Sequence, residues 1–183
     1  MRKFIFVVIA VLAVLILTGC SEPDSGVYAI GDTGPAGGYI FYVDEADAFS
    51  WNYLEAAPSD ILPFLIWDSN ISSDTGALSM IIGSGYTNTL EIISKLGIGN
   101  YAAFRCYDLT IGNYTDWFLP SEEELFLMYS NLSASGIGNF ENYSYWSSTE
   151  HSPMFARNVS MDSGFKGMAG KTDANFVRAA RSF

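Results

Sequence analysis

Hydrophobic and polar positions follow three rhythms along this chain. Residues 4–17 are an unbroken apolar run. Short apolar and aromatic runs of strand length follow at Tyr39-Ile40-Phe41-Tyr42-Val43, Tyr53-Leu54-Glu55-Ala56 and Phe64-Leu65-Ile66-Trp67, each bounded by turn residues or prolines. The middle of the chain changes to helical spacing. Thr89, Ile92, Ile93 and Leu96 fall at i, i+3, i+4 and i+7, with Asn88 placed as a cap and Gly97 as a stop. Asn100 can start a second helix that carries Ala102, Cys106 and Leu109 on one face. A third begins at Ser121, which has the capping-box spacing to Glu124. Glu122, Glu123 and Glu124 suit the positive end of that helix, and Leu125, Met128, Tyr129 and Leu132 form its apolar stripe.

After Gly138 the helical spacing stops. Residues 145–149, 155–161, 164–168 and 176–183 read as short strands separated by Gly, Asp and Ser turns. The terminal strand is placed to pair with the first. Strand, two or three helices, then several strands is a grouped order, so the expected fold is a single α+β domain with a strand-rich C-terminal half.

The N-terminal apolar run sits in a different context. Met1-Arg2-Lys3 precedes it and Leu17-Thr18-Gly19-Cys20 ends it. Its 14 residues fall short of the about 20 that a bilayer-spanning helix needs. A charged head, apolar body and small-residue exit make residues 1–19 a secretory signal peptide. The ending resembles the lipobox of bacterial lipoproteins. That resemblance implies lipidation of Cys20, a lipidated Cys and short tether over 20–26, and an extracytoplasmic membrane-anchored domain over 27–183. Ser21 resembles the outer-membrane-directed class of such proteins, so the outer membrane or cell surface is expected where the organism has one. The alternative is an uncleaved anchor with a chance cysteine.

Without the leader, 164 residues remain with a formal charge of −13. Such acidity opposes nucleic-acid binding. With Cys20 lipidated, Cys106 has no partner, which excludes a disulfide framework and leaves a small buried hydrophobe as the default. Five of the seven remaining basic residues fall after residue 150, namely Arg157, Lys166, Lys171, Arg178 and Arg181. Two readings stay open. Arg157, Lys166, Lys171 and Arg181 form an anion-binding patch, or the bases pair internally with the acids upstream.

Reactive constellations are scarce. His151 is the single histidine, and its neighbours Glu150 and Ser152 are too close in sequence to converge on it as a triad. Zinc chemistry lacks its set of His and Cys ligands. Gly83-Ser84-Gly85 lacks the third glycine of a dinucleotide loop. Asp68, Asn70 and Asp74 carry oxygens at the alternate spacing of calcium loops, but Ser73 and Ser79 stand where an EF-hand needs Gly and Glu. A polar surface turn and a calcium site are the alternatives there. No enzyme, and no cofactor other than calcium, is expected.

Several stretches carry a resemblance in combination. They are Gly37-Gly38-Tyr39-Ile40-Phe41-Tyr42-Val43, Tyr53-Leu54-Glu55-Ala56-Ala57-Pro58, Asp116-Trp117-Phe118-Leu119-Pro120-Ser121 with Glu124-Leu125, Tyr145-Trp146-Ser147-Ser148-Thr149-Glu150, and Val177-Arg178 with Arg181. The chain resembles the Lcl C-terminal domain family of bacterial surface and secreted proteins from about residue 27 to its end. The resemblance implies a fold similar to the C-type lectin-like fold. It also implies an adhesin that binds sulphated glycans and assembles as a homo-oligomer. This chain departs in lacking a collagen stalk, in its acidity and in lacking a Glu-Pro-Asn sugar motif. Physically, Trp117 and Trp146 read as core anchors and Asp116 as a loop-fixing group. Ser147, Ser148 and Thr149 read as partners for buried backbone. Arg178 and Arg181, three apart on an extended strand, are expected on opposite faces. One would pair with Asp116 or Glu150 and the other would reach the surface. The functional expectation is a lipid-anchored extracytoplasmic module binding a glycan or protein without catalysis. The alternative is a structural or assembly lipoprotein of the envelope acting through protein contacts.

Overall fold

The computed structural model describes residues 26–61, 64–70 and 72–183. The leader over 1–19, Cys20 and the tether as far as Ser25 lie outside them. In chain order the elements are β1 (Tyr39–Val43), β2 (Tyr53–Ala56), β3 (Leu65–Ile66), α1 (Gly85–Leu96), α2 (Ala102–Tyr107), α3 (Glu122–Asn131), β4 (Ser144–Glu150), β5 (Phe155–Ser160), β6 (Lys166–Gly170), β7 (Ala174–Asn175) and β8 (Ala180–Ser182). Three helices and three small sheets make one α+β domain whose C-terminal half is rich in strands. No helix among the described residues is long and apolar enough to cross a membrane.

The sheets are ordered β1-β2-β8, β3-β7 and β4-β5-β6, with antiparallel pairing throughout. The terminal strand therefore pairs with β2, not with β1 as expected. The outer edge of β1 is already occupied: Gly31 N donates to Ile40 O at 2.8 Å and Ile40 N donates to Asp32 O at 2.9 Å. The open edge is that of β2, where Leu54 faces Ser182 and Ala56 faces Ala180. Beyond β8, Phe118 and Ala180 exchange backbone hydrogen bonds of 2.8 and 2.9 Å, which ties the segment around Asp116 to the C-terminus. Close packing beside β2 demands glycine at position 38, where a Cβ would lie 2.0 Å from the Ala56 carbonyl oxygen.

The helices depart from their expected starts for tertiary reasons. α1 begins at Gly85, not after Asn88, with Ser84 at the cap position. A side chain at Gly85 would lie 2.2 Å from Glu124 Oε2, so the first turn of α1 is fitted against the start of α3. Asn88 is inside the helix and buried. Its amide donates to Ser79 O at 2.6 Å and to Ser148 Oγ at 3.3 Å, a cross-chain role rather than a capping one. α2 starts one residue later than expected, after an extended Tyr101, and closes before Leu109, which still packs on the core. The third helix has the capping box that its sequence encodes. Ser121 Oγ accepts from Glu124 N at 3.3 Å, and Ser121 N donates to Glu124 Oε2 at 2.7 Å.

Two apolar clusters hold these elements. One gathers Trp67, Ile92, Cys106, Trp117, Trp146 and Val177; the other gathers Phe41, Leu54, Phe118, Leu125, Met128 and Tyr145. Complete burial of an aliphatic or Phe side chain of this size contributes about 1.5–3 kcal/mol. Two of the buried indoles also find acceptors: Trp67 Nε1 donates to Ser147 O and Trp146 Nε1 to Leu65 O, each at 2.8 Å.

Candidate functional site

The five basic residues of the C-terminal segment are spread over six ion pairs, two of them made by Arg181. Lys171 is buried; its ammonium meets the Glu150 carboxylate, donates to Ser73 O and lies 4.5 Å from the centre of the Trp67 ring. The other Glu150 oxygen accepts from Thr75 N, Thr75 Oγ1 and Gly76 N at 2.8–3.0 Å. Every direction of that ammonium is engaged, and none faces an external anion. Arg181 is also buried, held between Glu55 and Asp116 and stacked 4.3 Å from the Tyr114 ring centre. Burial lowers its pKa, but hydrogen bonds to Asp116 and Glu55 outweigh that and hold it above the usual value. Lys166 contacts Glu123 at 2.7 Å over the Phe126 ring, and Arg157 stands 4.0 Å from Glu122. Lys171 and Arg181 are thus enclosed with upstream acids, whereas Arg157 and Lys166 face upstream acids with 29% and 32% of their side chains exposed.

Arg178 corrects another expectation, because it is buried as fully as Arg181. β8 begins only at Ala180, so strand alternation does not govern residue 178. Its guanidinium is inserted among the carbonyls of Ala57, Gly138 and Asn139 at 2.8–3.3 Å and pairs with Asp60 at 2.7 Å.

The remaining motif residues have mainly structural surroundings. Trp117 and Trp146 are buried in the first core. Ser147 Oγ donates to Arg157 O at 2.9 Å, and Thr149 Oγ1 donates to Ser79 O at 3.0 Å while accepting from Glu122 N at 3.1 Å. Ser148 Oγ receives the Asn88 amide. Cys106 is a free, buried thiol whose pKa burial pushes well above the ordinary value. His151 is exposed in the turn between β4 and β5. Asp68 turns inward, accepting from Asn70 N at 2.9 Å, whereas Asn70 and Asp74 are exposed. Among the described residues, no group of three His, Cys, Asp or Glu side chains is arranged to hold a metal ion.

One open cleft, of about 580 Å³, lies beside β8. α2 ends at Tyr107, and Asp108 occupies its C-cap. The chain then closes a tight bridge between Ile111 and Tyr114 and returns through Thr115 and Asp116 to the anchored Phe118. Tyr107, Asp108 and Thr110 line it from the end of α2 onward, together with Thr115, Asp116 and Tyr86 from α1. The two tyrosines are 46% and 43% exposed, at 86 and 107 respectively. Asp116 is 48% exposed at its side chain even though Arg181 fixes both carboxylate oxygens at 2.9 Å. Trp117 also lines the cleft; its buried indole N–H has no hydrogen-bond partner among the described residues.

Of this cleft, sequence reasoning singled out Asp116 and Trp117 only. Tyr86, Tyr107, Asp108, Thr110 and Thr115 lie outside any motif. The one available signal was Tyr107, next to buried Cys106 and therefore turned away from the core. Exposed phenol rings, hydroxyls and a fixed carboxylate around a concave surface can stack on a sugar ring and accept hydrogen bonds from its hydroxyls. Compared with known proteins, the chain matches no family model, and no curated protein matches it significantly.

Proposed function

We propose that this protein is a lipid-anchored extracytoplasmic binding module that recognises a glycan in the cleft between α1, the end of α2 and residues 115–117, without catalysis. The observation that carries this reading is the contrast between that cleft and the rest of the charged surface chemistry. Lys171, Arg178 and Arg181 are closed into buried ion pairs and the partly exposed Arg157 and Lys166 stand against Glu122 and Glu123, whereas Tyr86, Tyr107 and Asp116 stay accessible around a hollow. The lipobox-like Leu17-Thr18-Gly19-Cys20 supports membrane attachment through Cys20, and the resemblance to the Lcl C-terminal domain family supports an adhesive role on a lectin-like scaffold. No metal enters this account.

The test is a glycan array probed with the full chain in detergent micelles, wild type beside Tyr107→Ala. Binding by the wild type that the variant loses supports the module and its cleft. A blank array with folded protein refutes it. The second reading, an envelope assembly lipoprotein, draws on Leu78, Met80 and Ile81, which are 44–67% exposed just before α1. It predicts a stable complex with an envelope protein that competing glycans leave intact.

A further inference from the structure

The charge of the cleft narrows the kind of sugar it accepts. Among the described residues, its two carboxylates are Asp108 and Asp116, and no Lys, Arg or His lines it. Arg181 neutralises Asp116 from the buried side, since its side chain is only 5% exposed and that of Asp116 48%. Asp108 has no ion pair among the described residues; Arg105, one turn earlier on α2, does not reach it. An unneutralised carboxylate thus stands on the wall beside Tyr107, in a domain whose overall charge is already strongly negative. A concave site walled by one sign of charge concentrates ligands of the other sign and repels its own.

Resting on the glycan-binding role above, we propose that the cleft selects amino sugars: rings that stack on Tyr107 or Tyr86 and place a protonated amine against Asp108. Sulphated and other acidic glycans are rejected. The ring supplies hydroxyls for Thr110, Thr115 and the exposed lone pairs of Asp116. The ammonium supplies the counter-charge that Asp108 lacks within the protein.

A matched series tests this. Oligomers of glucosamine, their N-acetylated counterparts and their N-sulphated counterparts share one backbone and differ in charge at a single substituent. Their dissociation constants for the full wild-type chain in detergent are measured by calorimetry, at low and at high salt. The free amine should bind about two- to fivefold tighter than the acetamide, the range of one exposed ion pair. The sulphated form should bind weakest, and high salt or Asp108→Asn should flatten the order. Equal or tighter binding of the acetylated or sulphated oligomer overturns the charge selection while leaving a glycan module standing. Failure of all three on a protein that binds other sugars overturns the amino-sugar assignment alone. Failure with every glycan removes the role beneath it. The ranking is read on the wild type, so it stands whether or not the variant folds.

Discussion

Arg181 meets Asp116 through two parallel hydrogen bonds, Nε to Oδ1 and Nη2 to Oδ2, each 2.9 Å long. Its third contact is Nη1 to Glu55 Oε2 at 3.1 Å, and Glu55 in turn accepts from Ala36 N and Gly38 N at 2.8–3.3 Å. One guanidinium therefore couples the cleft wall, β2 and the loop before β1. Arg181→Ala should cost about 3–5 kcal/mol, because Glu55 would remain buried without its counter-charge. Arg181→Lys should recover little, since an ammonium cannot span both carboxylates with fixed planar geometry. Denaturant unfolding of the two variants measures both effects; near-wild-type stability of either contradicts them.

Lys171 and Glu150 make a second buried pair, and its members should be unequal to lose singly or together. Lys171→Met leaves a buried carboxylate and should cost about 3–5 kcal/mol. The double variant Lys171→Met with Glu150→Gln should be less destabilised than Lys171→Met alone, because the stranded charge is gone. Equilibrium unfolding of both variants checks the order.

Local rules were legible wherever neighbours in sequence decide the outcome. The capping box of α3, the extent of β1 and β2 and the stop at Gly97 are of this kind. Long-range pairing was not. The edge of β1 is taken by Gly31 and Asp32, an arrangement no periodicity records, so the terminal strand goes to β2. Asn88 carries the composition of a cap but serves the Ser79 loop and Ser148 instead. Arg178 sits just outside the strand whose alternation was used to place it. The cleft was the least legible part, because Tyr86, Thr110 and Thr115 come together only after α1, α2 and β8 have packed.

Glu124 makes stability depend on pH in a defined direction. Burial raises its carboxyl above the ordinary 4.5, although N–H groups of Ser121, Gly83 and Gly85 pull it back. The folded state thus holds this proton more tightly than the unfolded chain. That contribution is complete below pH 4.5 and is lost as pH rises through the folded-state value. Glu124→Gln also weakens the cap, by about 1 kcal/mol. The stability difference between wild type and Glu124→Gln, followed by urea unfolding from below pH 4.5 to neutrality, should shrink with rising pH. A difference that widens contradicts the assignment.

Cys106 should be inert in the folded protein. Its thiol is fully buried, and burial raises its pKa, which suppresses the thiolate that alkylating reagents need. Iodoacetamide at mildly alkaline pH should label Cys106 in denaturant and not in native buffer, read by mass spectrometry of its peptide. Rapid native labelling would place the thiol at an accessible surface.

The central claim is that ligand is held in the cleft beside Asp116, and backbone amide NMR of the isotope-labelled full chain in micelles tests it most directly. On titration with a glycan found to bind, shifts should concentrate at Tyr86, 107–110 and 115–117. Shifts confined to the ion-paired surface around Arg157 and Lys166, with the cleft amides unmoved, would contradict it.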